Sequence, residues 1–443
     1  MGWTGSKEAL TRRKGCLLSE RLNVILILSD DQGSLDVGCY GADDLVTPNL
    51  DRLAASGVRF TDFYANAPIC MPSRVSLLTG RDYPRGLLPG KGLKPDEITA
   101  AEMFRNAGYR TAMFGKWHLG STPDMSPNAQ GFDEFLGHTT GTLDAYSHFF
   151  YVEGVNRHVL QRNGQPYERP GKYLPDLLVE EATNFIDASG ENPFFLYLPF
   201  AIPHYPVQPR REDRELYENS GMEDTRRVLY GAYLTTLDSC VGRVLDAVEA
   251  RGLTQRTLVF FLSDHGHSTE DRAFGGGGHA GPYRGHKQTL WEGGIRVPCI
   301  ASCPGRIPAG QVRQQPAIAM DWVPTMAEFC DVPLPDDRPI DGRSLAAVLA
   351  SEDAPPPHER LHWVHYDGTF AQREGKWKLV SGPDGSWLCD LQADPGERSD
   401  LTDGEPERLA DMVWHHNTWL REVAGLAVGV RRLPPPIRKS AGP

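Results

Sequence analysis

Four short apolar runs, each ending in a charged or imidazole side chain, constrain this chain more than any other feature. Asn23 to Leu28 (NVILIL) leads into Ser29-Asp30-Asp31, and Leu258 to Leu262 (LVFFL) leads into Ser263-Asp264-His265. Arg110 to Phe114 leads through Gly115 into Lys116-Trp117-His118, and Phe194 to Phe200 leads on to His204. Apolar runs without polar alternation read as strands covered on both faces, the habit of parallel sheets. Helix-period stretches are expected between them at 49–57, 99–107, 176–188 and 228–251. This alternation predicts an α/β fold with a large, mostly parallel central sheet. Ligands of open α/β sheets gather at the carboxyl ends of the strands, so the four polar endings can converge on one site. Singly, each ending has an ordinary reading as a turn or cap residue.

A length of 443 residues exceeds the size at which one core stops growing, about 250–300 residues, so a second, smaller unit is expected. The stretch 332–357 is dense in Pro and Asp, which places a boundary near Pro333. A catalytic domain is expected over 20–332 and a C-terminal α+β subdomain over 333–443. In the latter, LHWVHYDG, FAQREGKWKLVSG and SWLCDLQ read as short antiparallel strands and 405–422 as a closing helix.

The net charge of −12 argues against nonspecific binding to nucleic acid or an anionic membrane. No apolar run approaches the roughly 20 residues that span a bilayer. Eight cysteines, from Cys16 to Cys389, are too sparse for a disulfide scaffold or a zinc ribbon. The first residues lack the apolar centre and cleavage site of a secretory leader. Gly2 and Ser6 formally fit a myristoylation pattern, although bulky Trp3 favours coincidence. The expected location is cytoplasmic as written, and periplasmic or secreted if a leader is missing.

Asp30, Asp31 and Asp264 are hard oxygen donors suited to Ca²⁺ or Mg²⁺, and a divalent cation would relieve their mutual repulsion. His265 complicates that choice, since imidazole suits Mn²⁺ or Zn²⁺ better. His267 and Glu270 read as surface loop residues, with a supporting role behind the metal ligands as the alternative. In Cys70-Met71-Pro72-Ser73-Arg74, Pro72 suits a first helical turn and Gly80 a stop. Cys70 then sits at a helix N-terminus, where the dipole and Arg74 favour an anion. A buried structural cysteine and a thiolate nucleophile are the competing readings.

Cys-x-Pro-Ser-Arg with the trailing Leu78-Thr79-Gly80-Arg81 resembles the type I sulfatase signature. The resemblance also takes in Asp30-Asp31-Gln32-Gly33, Thr47-Pro48-Asn49-Leu50-Asp51, Gly115 to Gly120, Pro203-His204, Ser263-Asp264-His265-Gly266, Lys287 and Glu292 to Pro298. Leu388-Cys389-Asp390-Leu391 and Asp394-Pro395-Gly396-Glu397 match late. It implies an alkaline-phosphatase-like sandwich, a divalent metal (Ca²⁺, with Mg²⁺ or Mn²⁺ as alternatives) and oxidation of Cys70 to formylglycine by a formylglycine-generating enzyme. Asp30, Asp31, Cys70, Asp264 and His265 would be the metal ligands. Lys116 and Lys287 would bind sulfate oxygens, and Arg74 would orient the hydrated aldehyde. His204 would protonate the departing alkoxide, and His118 would act as base when the sulfated intermediate collapses to aldehyde and sulfate.

The chain departs from the pattern at His265, where many members carry Asn. A serine often found after the Gly-Phe-x-x-Phe segment is replaced somewhere among His138, Thr139, Thr140 and Asp144. The resemblance implies hydrolysis of a sulfated carbohydrate or aryl sulfate. The alternatives are a phosphonate monoester or phosphodiester hydrolase of the same superfamily, and a catalytically silent glycan-binding protein. The loop at His365 to Thr369 is expected to border the pocket.

Overall fold

In the computed structural model, residues 21–152 and 154–424 are described, so Cys16 and the N-terminal pattern at Gly2 and Ser6 lie outside the described residues. The four apolar runs become the centre of a ten-stranded sheet. In chain order its strands are β1 (Asn23–Asp30), β2 (Val58–Phe60), β3 (Arg110–Lys116), β4 (Glu134–His138), β5 (Gln161–Arg162), β6 (Gln165–Pro166), β7 (Phe194–Pro203), β8 (Thr257–Ser263), β9 (Cys299–Ser302) and β10 (Gln311–Arg313). Their spatial order is β6-β5-β4-β3-β7-β1-β8-β9-β2-β10. From β4 to β8 every neighbouring pair is parallel, whereas β9 runs against both of its neighbours.

Uniform apolarity in β1 still resolves into two faces. Val24, Leu26 and Leu28 enter one core with Tyr197 and Phe260, while Ile25 and Ile27 enter the other with Leu196 and Phe261. Both faces are covered by helices, so neither set of side chains can be polar. The first core is closed by α2 (Cys70–Thr79), α3 (Ala100–Asn106) and α6 (Trp322–Cys330). The second is closed by α1 (Pro48–Ala55), α4 (Leu174–Ser189) and α5 (Thr225–Ala250). Thr99 and Glu102 form a reciprocal capping box that starts α3.

The central strands run one to three residues past their expected ends, so Asp30 and Lys116 are the last strand residues rather than loop residues. A strand pinned on both sides by parallel neighbours can carry polar residues at its end without fraying. Beyond 358 the chain forms a four-stranded antiparallel meander of β11 (Arg360–Val364), β12 (Phe370–Glu374), β13 (Trp377–Gly382) and β14 (Gly385–Asp390). FAQREGKWKLVSG is therefore two strands and not one, folded back at Gly375, whose φ of 57° suits glycine. The closing helix α7 (Pro406–Ala424) packs Met412 on Phe370, Leu379 and Leu388. The opposite face lays Leu361, Trp363 and Ala371 against Tyr64, Ile295 and Ile318 of the larger unit. Leu345, Val348 and Leu349, although they follow Pro333, are buried in the first core of the large sheet.

Candidate active site

Asp30 ends β1, Lys116 ends β3, His204 follows β7 and Asp264 follows β8. Strands β1 and β8 are in register at Ser29 and Ser263, which brings Asp30 and Asp264 side by side. Asp31 turns out of the strand with a φ of 69°, and its N–H reaches Asp264 Oδ1 at 3.3 Å. Helix α2 begins at Cys70 and stops at Gly80, whose φ is 69° and whose N–H donates to Ser76 O at 2.9 Å. The helix thus points its unpaired N–H groups and its first side chain at the strand ends.

Cys70 Sγ lies 3.1 Å from His265 Nε2, 3.5 Å from Asp30 Oδ1 and 3.6 Å from Lys116 Nζ. Arg74, one turn on, donates through Nε and Nη2 to Asp264 Oδ2 at 3.1 and 2.9 Å and through Nη1 to Lys116 O at 2.9 Å. Lys116 Nζ is 2.5 Å from Asp30 Oδ2. Lys287 bridges Asp31 and Glu270, at 2.9 Å from a carboxylate oxygen of each. It donates to Asp31 Oδ2 at 3.1 Å, and Asp31 Oδ1 is left buried without a well-aligned donor. His204 Nε2 stands 3.8 Å from Asp31 Oδ2, while its Nδ1 pairs with Tyr205 O at 2.7 Å. His118 (φ 58°) is half-buried, with Nδ1 unpartnered and its ring so near Gly141 that a Cβ there would lie 3.2 Å away.

Burial would raise the Asp30 carboxyl, but Lys116, His204 and Arg74 hold it well below the usual carboxylate range. Asp31 goes the other way, because burial together with Asp30 and Asp264 outweighs Lys287 and His265. Burial pushes His118 down, with Lys116 and Arg74 adding to it, and the same holds for His204 beside Lys116 and Lys287. His265 is pushed up to about 10, since Asp264, Cys70 and Asp31 overcome its burial.

The donor atoms of Asp30, Cys70, Asp264 and His265 lie within 4.8 Å of one another, and so do those of Asp30, Asp31, Cys70 and His204. Three buried carboxylates gathered at the strand ends, with Asp31 Oδ1 lacking a well-aligned hydrogen-bond donor, fit a hard divalent cation. The proton that His265 holds among these acids marks where a cation would take over the counter-charge.

Two expectations need correction. Glu270 is not a free surface residue: it pairs with Lys287 and Arg272, which hold it down at about 2 against its partial burial. His267 is half-buried, and its buried Nδ1 has no partner among the described residues. Lys287, which composition alone would leave at the surface, is only 6% exposed. Among the four candidates for the missing serine, His138 is the one buried at a strand end, paired in register with Lys116. Burial and the nearby Lys116 and Arg74 keep its ring neutral, with a pKa near 3. The signal for it was the carboxyl end of β4, a fifth parallel strand too short to stand out in the sequence. The loop at His365 to Thr369 lines a cavity of about 340 Å³ with Gln288 to Trp291, immediately after Lys287.

The sulfatase family model matches residues 22–332, and a second model, N-sulphoglucosamine sulphohydrolase, C-terminal, matches 283–417. Arylsulfatase A of Homo sapiens is 36% identical over 436 residues, covering 90% of this chain and 82% of that protein. Steryl-sulfatase of Mus musculus is 32% identical over 505 residues, covering 87% and 79%. The crystal structure of Ps i-CgsB in complex with k-i-k-neocarrahexaose superimposes with a TM-score of 0.83 at 29% identity, covering 90% of this chain and 92% of that one. The chain belongs to the sulfatase family of the alkaline-phosphatase-like superfamily. It is a sulfatase, an enzyme of sulfate ester hydrolysis.

Proposed function

We propose that this sulfatase hydrolyses the sulfate monoester of a carbohydrate or an aryl alcohol with a nucleophile made from Cys70 by oxidation to formylglycine. The observation that carries the reading is the position of Cys70 Sγ, at a helix N-terminus and within 3.6 Å of Asp30, Lys116 and His265. A plain structural cysteine has no reason to sit among charged groups. Asp30, Asp31, Asp264 and His265 would hold a divalent cation that acidifies the nucleophile and polarises the ester. Lys116 and Lys287 would bind the sulfate oxygens and stabilise the charge that builds on them. Arg74 holds Asp264 through two hydrogen bonds, so its part is to position rather than to react.

Neutral His118 is suited to act as a base. Neutral His204 needs a proton before it can act as an acid. Burial, with Lys116 and Lys287 adding to it, keeps His204 neutral; a bound sulfate anion offsets the two lysines and so favours its taking one up. The proton then passes to the departing oxygen.

The test is mass spectrometry across residue 70 together with rates on matched aryl sulfate, phosphodiester and phosphonate esters. Formylglycine with a preference for the sulfate ester is expected. An unmodified thiol in active enzyme, or a large preference for the phosphorus esters, would overturn the proposal.

A further inference from the structure

A cavity of about 330 Å³ opens beside Asp31; Pro203, Tyr205, Val207, Leu229, Tyr230 and Phe274 make its apolar walls, and Thr225, Arg226 and Ser268 border it as well. Pro203 and Tyr205 flank His204, and the His204 and Tyr205 rings lie 4.2 Å apart. Two of its polar side chains are already paired within the protein, Arg226 with Asp224 at 2.9 Å and Ser268, which donates to Glu270 Oε2 at 3.1 Å. The Tyr230 hydroxyl is already satisfied, donating to Asp36 Oδ2 at 2.7 Å and accepting from Gly33 N at 3.0 Å. At the rim Phe274 is 80% exposed, in a left-handed conformation (φ 54°) that large side chains rarely adopt. An exposed aromatic residue held at the mouth of an apolar cavity is a recognition feature more than a packing one. The cavity after Lys287 differs: Asp367, Thr369, Ser381 and Ser386 line it, and it has none of the residues that flank His204.

We infer that the preferred substrate is a sulfate ester of an apolar, ring-containing alcohol, whose hydrophobic body fills the cavity between Tyr205 and Phe274. This deepens the proposed function and rests on it in one respect: His204 protonates the leaving oxygen, so the alcohol must lie on the His204 side. There it meets mainly aromatic and aliphatic walls, and the Arg226 and Ser268 side chains at their edge are already engaged by Asp224 and Glu270. A polyhydroxylated body in the same place would leave its hydroxyls unpaired.

Cyclohexylmethyl sulfate and glucose 6-sulfate make a matched pair, both primary alkyl sulfates and differing in the polarity of the ring. With formylglycine-bearing enzyme, kcat/KM is expected to be at least about tenfold higher for the cyclohexylmethyl ester. Phe274→Ala, a change at an exposed position, should cut that preference several-fold, with the larger rise in KM on the cyclohexylmethyl ester. Equal rates, a preference for the glucose ester, or an equal loss on both esters in Phe274→Ala would refute the inference. Equilibrium binding of the two esters to Cys70→Ala protein separates this failure from that of the proposed function. If no ester is turned over but the apolar one binds about tenfold tighter, the cavity assignment stands and the catalytic reading falls.

Discussion

Lys378→Met probes the link between the C-terminal sheet and the catalytic loop. Lys378 is fully buried, and its Nζ lies 2.8 Å from Glu292 and 2.8 Å from Glu397. Glu397 Oε2 accepts from Glu292 N at 2.7 Å, and Glu397 O accepts from Arg284. Arg284 and Glu292 bracket Lys287, so this buried cluster anchors the loop that presents Lys287 to the site. Removing the lysine leaves Glu397 buried without its cation, while Glu292 keeps Arg296 at 3.0 Å and the Tyr64 hydroxyl at 2.7 Å, and breaking a buried pair in this way costs about 3–5 kcal/mol. In a protein of this size that is a fall in Tm of roughly 4–6 °C.

The loss should depend on pH. Burial and Glu292 push the Glu397 carboxyl up to about 7 even with Lys378 opposing them. The folded state therefore binds a proton that the unfolded chain has released, and stability falls as pH rises from about 4.5 to 7. Without Lys378 the carboxyl climbs further, so the deficit is largest near pH 8 and falls to roughly half or less near pH 5. Thermal unfolding of both proteins at pH 5 and pH 8 measures this. A Tm deficit equal at the two values, or under about 1 °C at pH 8, would refute the reasoning.

Cys70→Ala is expected to abolish turnover while leaving Tm within about 2 °C, because the residue carries the nucleophile and only a small side chain is lost. Activity near wild type would remove Cys70 from that role. His204→Ala should hurt poor leaving groups most, steepening the dependence of kcat on leaving-group pKa. A uniform loss across an aryl-to-alkyl sulfate series would exclude acid catalysis by this residue. Chelation should remove activity and lower Tm, with both restored by a divalent cation, and Asp31→Asn should weaken the rebinding measured by calorimetry. Full activity after exhaustive chelation would exclude a required cation.

The sheet and the acids and histidines that end its strands were legible in the linear sequence because both are local signals, whereas only the sulfatase resemblance raised Lys287 above an ordinary surface lysine. A strand buried on both faces needs an unbroken apolar run, and NVILIL and LVFFL announce it along with the acids that end it. Helix α2 was legible for the same reason, from Pro72 and Gly80. Strand ends were not, since Asp30 and Lys116 keep strand geometry only because parallel neighbours hold them there. The split at Gly375 was hidden inside a run that reads equally well as one strand.

What the tertiary structure alone decided is how charges far apart in the chain are shared. Lys287 is drawn inward by Asp31, 256 positions away, and Glu270 is held against that lysine. Lys378 joins Glu292 to Glu397 across the two units, and His138 is set beside Lys116 by strand pairing. The apolar walls from Tyr205 to Phe274 likewise come from three separate segments. Apolar periodicity is a property of neighbouring residues and survives in the sequence. The pairing of buried charges depends on distances between elements, and only the folded chain supplies those.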